Sequence, residues 1–262
     1  MKQTVVLIAC CHLFISCFCQ QVFQLAPPLM KYPSVFFDKS IAVELQFREP
    51  GAVIRYTLDG SEPNEKSKLY EVPVIISTNK TTLKAKSFSN NYLPSAAIEK
   101  TFLKNGLPVK SVTCTKPNEK YTGGGANGLI DNLGGISSPS SRTWLGFQTD
   151  TVSVELVLNQ PETIKEVMID FLHAEDSWIF MPQKILVFTF SETINSWQKF
   201  NEGTFSFNER SPASNCEYVS FGGKSEKIKR ILLKILPLQK IPEWHDGKGT
   251  PAWVFIDEIK VY

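Results

Sequence analysis

Short bursts of alternating apolar and polar residues, each closed by Gly, Pro, Asn or Asp, run through most of this sequence, and that period of two limits the fold most. Successive side chains of a strand point to opposite faces, so Ile41, Val43, Leu45 and Phe47 share one face while Ala42, Glu44 and Gln46 share the other. Val152, Val154, Leu156 and Leu158 repeat the pattern against Ser153 and Glu155, and two further inward faces are expected at Val167, Ile169, Phe171 and at Leu186, Phe188, Phe190. Ile228, Ile231, Leu232 and Ile235 also match a helical spacing, but their β-branched content and Pro237 favour a strand. Long amphipathic helices do not alternate with the strands, which disfavours a parallel α/β sheet or a (β/α)8 barrel. No period of about 20–50 residues repeats, which argues against a solenoid or propeller. The expected class is all-β.

Turn residues divide the chain. Pro27-Pro28 and Pro33 mark an extended entry, and Ile54-Arg55-Tyr56-Thr57-Leu58 runs into Asp59-Gly60-Ser61-Glu62-Pro63, where Gly supplies a positive φ and Pro forbids continued pairing. Val74–Ile76, Thr82–Lys86 and Ile98–Phe102 add short strands, giving a small sandwich over residues 26–104. Lys104-Asn105-Gly106-Leu107-Pro108 reads as a linker, and residues 107–262 as a second, larger β module.

The amino terminus has a different character. Lys2 precedes Thr4–Cys19, an uncharged, largely apolar stretch of 16 residues; a membrane span takes about 20, so residues 1–19 read as a secretory signal. Two processing routes are open. Phe14-Ile15-Ser16-Cys17 resembles a bacterial lipobox, which would make Cys17 the acylated first residue and attach the protein to a membrane through an N-terminal lipid; ordinary cleavage after Cys19 would instead release a chain beginning at Gln20. Either route predicts an exported protein: periplasmic, outer-membrane-anchored or secreted. Of the six Cys only Cys114 and Cys216 lie beyond this stretch, and they either pair or stay as two free thiols.

Charge and motifs exclude several functions. With 28 Lys+Arg against 26 Asp+Glu the formal charge is +2, which gives no broad cationic field for nucleic acid. HExxH, GxSxG and CxxC are missing, and beyond the signal only His173 and His245 remain, so the common zinc and serine-hydrolase constellations lack parts. Gly123-Gly124-Gly125-Ala126-Asn127-Gly128 lacks the Lys-Ser/Thr of a phosphate loop and reads as a loop with unusual backbone angles.

The last strand, Trp253–Tyr262, carries an adjacent acidic pair. Strict alternation would put Asp257 with Phe255, Ile259 and Val261; a bulge at Asp257-Glu258 instead lets the apolar face pass from Val254 and Ile256 to Ile259 and Val261. A carboxylate turned inward needs a cation or several donors. Glu258 is therefore a candidate calcium ligand, with capping by backbone N–H groups as the alternative.

Two resemblances follow from particular residues. Ile54–Pro63, with Ser67, Tyr70 and Thr82-Leu83-Lys84-Ala85, resembles the chitobiase/β-hexosaminidase carboxy-terminal domain over roughly residues 34–103. Pro242–Glu258, with Gly123-Gly124-Gly125 and Trp178-Ile179-Phe180-Met181-Pro182, resembles a discoidin (coagulation factor V/VIII type C) domain. Together they are similar to the tail of Bacteroidetes exo-β-N-acetylhexosaminidases of glycoside hydrolase family 20, although this chain has no room for that catalytic barrel. The resemblance implies an immunoglobulin-like sandwich followed by a galactose-binding-like jelly roll. It also implies a structural calcium site matching Asp131, Trp144 and Glu258, with Asp131-Asn132 departing from the usual Asp-Gly.

Pyranose C–H faces pack on exposed aromatic planes while their hydroxyls need polar groups on rigid loops. Trp244 and His245 in a Gly/Pro/Asp-rich loop, and Trp178 beside His173, Glu175 and Asp176, supply both ingredients. The expected function is non-catalytic binding of a galactose- or N-acetylhexosamine-type glycan through Trp244, His245, Trp178, His173 and Asp176, with Trp244 the first choice as platform. The alternatives are an accessory chain of a split β-hexosaminidase with a glycoside hydrolase partner, a hydrolase using Asp176, Glu243 or Asp257, or an adhesin or scaffold that binds protein.

Overall fold

The computed structural model describes residues 23–134, 136–210 and 214–262, so the stretch read as an export signal, with Cys17, lies outside the described residues. In the first module β1 (Leu29–Lys31), β3 (Ile41–Gln46) and β6 (Val74–Ile76) form one sheet. β2 (Phe36–Phe37), β4 (Val53–Thr57), β5 (Lys68–Leu69), β7 (Lys80–Phe88) and β8 (Ile98–Lys104) form a second, in the order β2-β8-β7-β4-β5. The alternation puts Ile41, Val43 and Leu45 between the sheets with Leu83 and Phe102. The Asp59-Gly60-Ser61 turn closes as its residues dictate: Asp59 accepts both the backbone N–H and the hydroxyl of Ser61, at 3.0 and 2.6 Å.

The second module stacks a five-stranded sheet on a four-stranded one. β9 (Val109–Cys114), β11 (Val152–Thr163), β13 (Lys184–Ser191), β14 (Ser196–Thr204) and β16 (Lys227–Leu236) form the first, in the order β14-β13-β16-β11-β9. β10 (Leu145–Phe147), β12 (Glu166–His173), β15 (Asn215–Gly222) and β17 (Val254–Val261) form the other, in the order β10-β17-β12-β15. The segment with helical spacing is β16, paired on both sides. Gly123 and Gly125 take positive φ, as the glycine run predicts. Val152, Val154 and Leu156 meet Val167, Ile169, Phe171, Val254 and Ile256 in the core.

One inward face is the reverse of the sequence expectation. On β13 the buried side chains are Ile185, Val187, Thr189 and Ser191, and Leu186, Phe188 and Phe190 face outward. Larger groups fit there because the outer face is itself covered: Phe190 meets Trp197 at 5.2 Å, and the Arg230 guanidinium lies over both rings.

The bulge in the last strand is present. Ile169 faces Ile259 and Phe171 faces Ile256, leaving Asp257 and Glu258 together opposite Asp170. β17 is buried along its whole length. Its outer face is closed partly by the first module, where Val35, Phe36 and Leu103 pack with Met168, and partly by the loop after Asp131. Residues 104–108 are not a loose tether: the Tyr262 hydroxyl donates to Lys104 O at 2.6 Å, and Leu107 N–H donates to Val261 O at 2.6 Å. Cys114 and Cys216 lie on edge strands of different sheets, and both are free. Burial raises both thiols, Cys216 to about 12.

Gly106 sits where a Cβ would lie 2.1 Å from Val261 O. Gly106→Ala should therefore lower stability by about 1–3 kcal/mol, the usual range for overpacking, as measured by chemical denaturation. Gly222→Ala, whose Cβ would come no closer than 4.0 Å to another atom, serves as the control.

Candidate functional site

The strongest site lies beyond the end of β12. After His173 the chain makes a 3-10 turn over Glu175–Ser177 and reverses at Trp178, whose φ of 59° is left-handed. That region disfavours bulky side chains, and such strain, about 1–3 kcal/mol, persists only where surrounding contacts fix it. Here Trp178 N–H donates to Glu175 O at 2.7 Å and Trp178 O accepts from Trp253 N–H at 2.8 Å. The indole lies against Gly247, where any Cβ would be 1.9 Å from Trp178 Nε1, and its surface remains 41% exposed. Sequence spacing gave no hint of this backbone strain.

His245 ties the neighbouring loop to that turn. Its Nδ1 accepts the Gly247 N–H at 2.9 Å, which leaves Nε2 protonated to donate to Glu175 O at 2.9 Å. The ring is buried edge-on to Trp178, 5.2 Å between centroids, and so acts as a brace. Trp244 is half-buried: its indole N–H donates to Phe207 O at 3.0 Å and it packs with Phe180, Leu238 and Ile241. That bracing argues against Trp244 as the first platform, because its removal would disturb the loop itself.

Across the turn, Asp176 accepts from Arg210 at 2.6 Å; both side chains are largely exposed, and the carboxylate raises the guanidinium's pKa. Asp176, Trp178, Arg210, Trp244, His245 and Asp246 together line a small cleft of about 70 Å³. Four of the five expected residues thus converge. His173 does not line the cleft; its Nε2 lies 3.0 Å from the Oε1 of buried Glu175. Arg210 was not legible in sequence, since it belongs to an unpatterned polar turn 34 residues from its partner.

The three carboxylates named for the hydrolase alternative do not meet one another. Asp176 is committed to Arg210, Glu243 is exposed 3.5 Å from Lys248, and Asp257 is fully buried under the first module and the loop after Asp131. Of the expected calcium frame, the structure brings Asp131 and Glu258 into side-chain contact, with Lys260 beside them. Trp144 is buried with its indole N–H on Ile136 O, Asp131 Oδ1 accepts the Leu133 N–H at 2.8 Å, and Glu258 lies 2.9 Å from the ammonium of Lys260. Among the described residues no group of three or more His, Cys, Asp or Glu is arranged to hold an ion.

Beside that pair, Asp170 is fully buried and neither carboxyl oxygen has a hydrogen-bond partner. Burial first, and then the neighbouring Asp257 and Glu258, push its pKa well up, with Lys100 opposing. For Glu258 burial raises the carboxyl and Lys260 pulls it back; burial lowers Lys260 and Glu258 opposes that.

A family model described as Fn3 associated matches residues 43–102. No curated protein matches the chain. Among solved structures the chain is similar to the CBM32 of AlyQ in complex with 4,5-unsaturated mannuronic acid, with 14% identity over 60% of this chain and 96% of that one and a TM-score of 0.38. An F5/8 type C domain from Bacteroides fragilis has 15% identity over 58% and 89%, with a TM-score of 0.38. GH31 CBM32-2 bound to GalNAc has 14% identity over 59% and 98%, with a TM-score of 0.38. At such identities and scores the role of the cleft rests on its own geometry.

Two outcomes follow. Gly247→Ala must push the Trp178 indole off its seat and should shift tryptophan fluorescence. Asp170→Asn should remove part of the pH dependence of stability. A carboxyl whose folded pKa is raised contributes stability fully present below its unfolded pKa, near 3.8, and lost as pH rises through the folded value. The melting temperature of the variant relative to the natural chain should therefore rise between pH 4 and pH 8.

Proposed function

We propose that this chain is an exported, non-catalytic glycan-binding protein that takes a galactose- or N-acetylhexosamine-type sugar at the Trp178 cleft. The observation that carries the reading is the exposed Trp178 ring, clamped through its backbone and seated on Gly247, beside the exposed Asp176–Arg210 pair and Asp246. A sugar's C–H face packs on such a ring, and its hydroxyls bridge the acceptors of Asp176 and Asp246 and the donors of Arg210. Export rests on the Thr4–Cys19 stretch, with Cys17 the lipid attachment point if the lipobox route is taken. On this reading any cutting belongs to a separate glycoside hydrolase, and the isolated protein leaves a chromogenic N-acetylglucosaminide intact.

Trp178→Ala should weaken retention on an immobilised galactose or N-acetylhexosamine glycan tenfold or more, the loss of about 1.4 kcal/mol or more expected at a central aromatic contact. Trp197→Ala, on the outer face of the five-stranded sheet, should leave retention unchanged. Equal retention by the natural chain and Trp178→Ala would remove the cleft from consideration.

A further inference from the structure

Beside Asp131 and Glu258, two of the residues that the resemblance gives to a calcium ion, sits a cation of the chain itself, Lys260. Lys260 is 4% exposed, and its ammonium meets Glu258 Oε2 at 2.9 Å, Asn105 Oδ1 at 3.2 Å and Asn132 Oδ1. Of the ammonium's three N–H donors, two go to the asparagine oxygens, and Glu258 faces the same nitrogen as an ion pair. The remaining side is closed by the face of Phe36, with the nitrogen 4.4 Å from the ring centroid.

Each partner comes from a different part of the chain. Glu258 is the bulged residue of β17, Asn132 follows the 3-10 helix Ala126–Ile130, Asn105 belongs to the linker, and Phe36 is on β2 of the first module. Two of these are pre-aimed. Asn105 spends its Nδ2–H on Asp38 Oδ1 at 2.8 Å, which leaves its oxygen for Lys260. Asn132 adopts a left-handed φ of 63°, a conformation Asn tolerates better than most residues. Gly134, two residues on, passes so close that a Cβ there would strike Asp257 Oδ2 at 1.7 Å, so the loop is laid directly over the acidic bulge.

We infer that Lys260 is a tethered replacement for a structural metal ion, and that its ammonium clasps the first module, the linker and the covering loop onto β17. A fixed cation at that point needs no metal from solution. It also makes the two modules one unit, because the same ammonium is shared between them.

Melting of the full chain in calcium chloride and in EGTA tests the first half. The midpoint should be the same in both; a midpoint that rises with calcium and falls in chelator would overturn the inference. Lys260→Ala should melt lower and recover in part when a short alkylammonium is added, while Lys260→Arg should lose less; a Lys260→Ala midpoint equal to that of the natural chain overturns it as well. For the clasp, Lys260→Met keeps the stem and drops the charge, and trypsin should then cleave after Lys104 faster than in the natural chain. An unchanged cleavage rate would mean that the ammonium does not hold the modules together. If the Ala and Met variants fail to fold, the calcium and EGTA comparison on the natural chain still decides.

Discussion

Burying both faces of β17 sets the terms for much of this molecule. A half-exposed strand can turn carboxylates to water, but β17 runs through the middle of its sheet with the core on one side and the first module with its covering loop on the other. Asp257 and Glu258 are therefore desolvated, and a buried carboxylate must be neutralised, paired or ligated. The ammonium of Lys260 meets that demand for Glu258, and the oxygens of Asn105 and Asn132 complete the ammonium's own surroundings. Glu258 is held by Lys260 two residues along the same strand, and Asp170 is left as an acid whose burial favours its neutral form.

The cleft around Trp178 is built on the opposite principle, with exposed polar groups on a rigid base. Glu175 O, His245 and Gly247 form a chain of contacts in which each fixes the next: the carbonyl accepts from the imidazole, the imidazole accepts from the glycine N–H, and the glycine seats the indole. Rigidity of this kind reduces the ordering entropy lost on binding. Trp244 and His245, which line the cleft, also hold the loop through their own hydrogen bonds.

How much of this was legible in the sequence depends on range. Local alternation placed most strands because the side-chain period of a strand is set by the backbone itself, and it found the bulge at Asp257-Glu258 because one inserted residue leaves a visible break in that period. The face of β13 was inverted, since Leu186, Phe188 and Phe190 are more apolar than the Thr189 and Ser191 that point inward, and only the Arg230–Trp197 cover explains why they can face out. Loop composition located Trp178, Asp176, Trp244 and His245, but not Arg210, whose role depends on a contact between distant turns. Nor does composition distinguish a carboxylate that awaits a metal from one that already faces an ammonium, because that difference lies in which way Lys260 points.

Cys114 and Cys216 have a consequence of a different kind. A thiol raised to about 12, as Cys216 is, has a thiolate fraction near neutral pH of about one in 100,000, and only the thiolate attacks a disulfide or takes up an oxidant readily. Cys216 is thus a poor nucleophile near neutral pH. With both thiols free, the described part of the chain is held by packing and polar pairing.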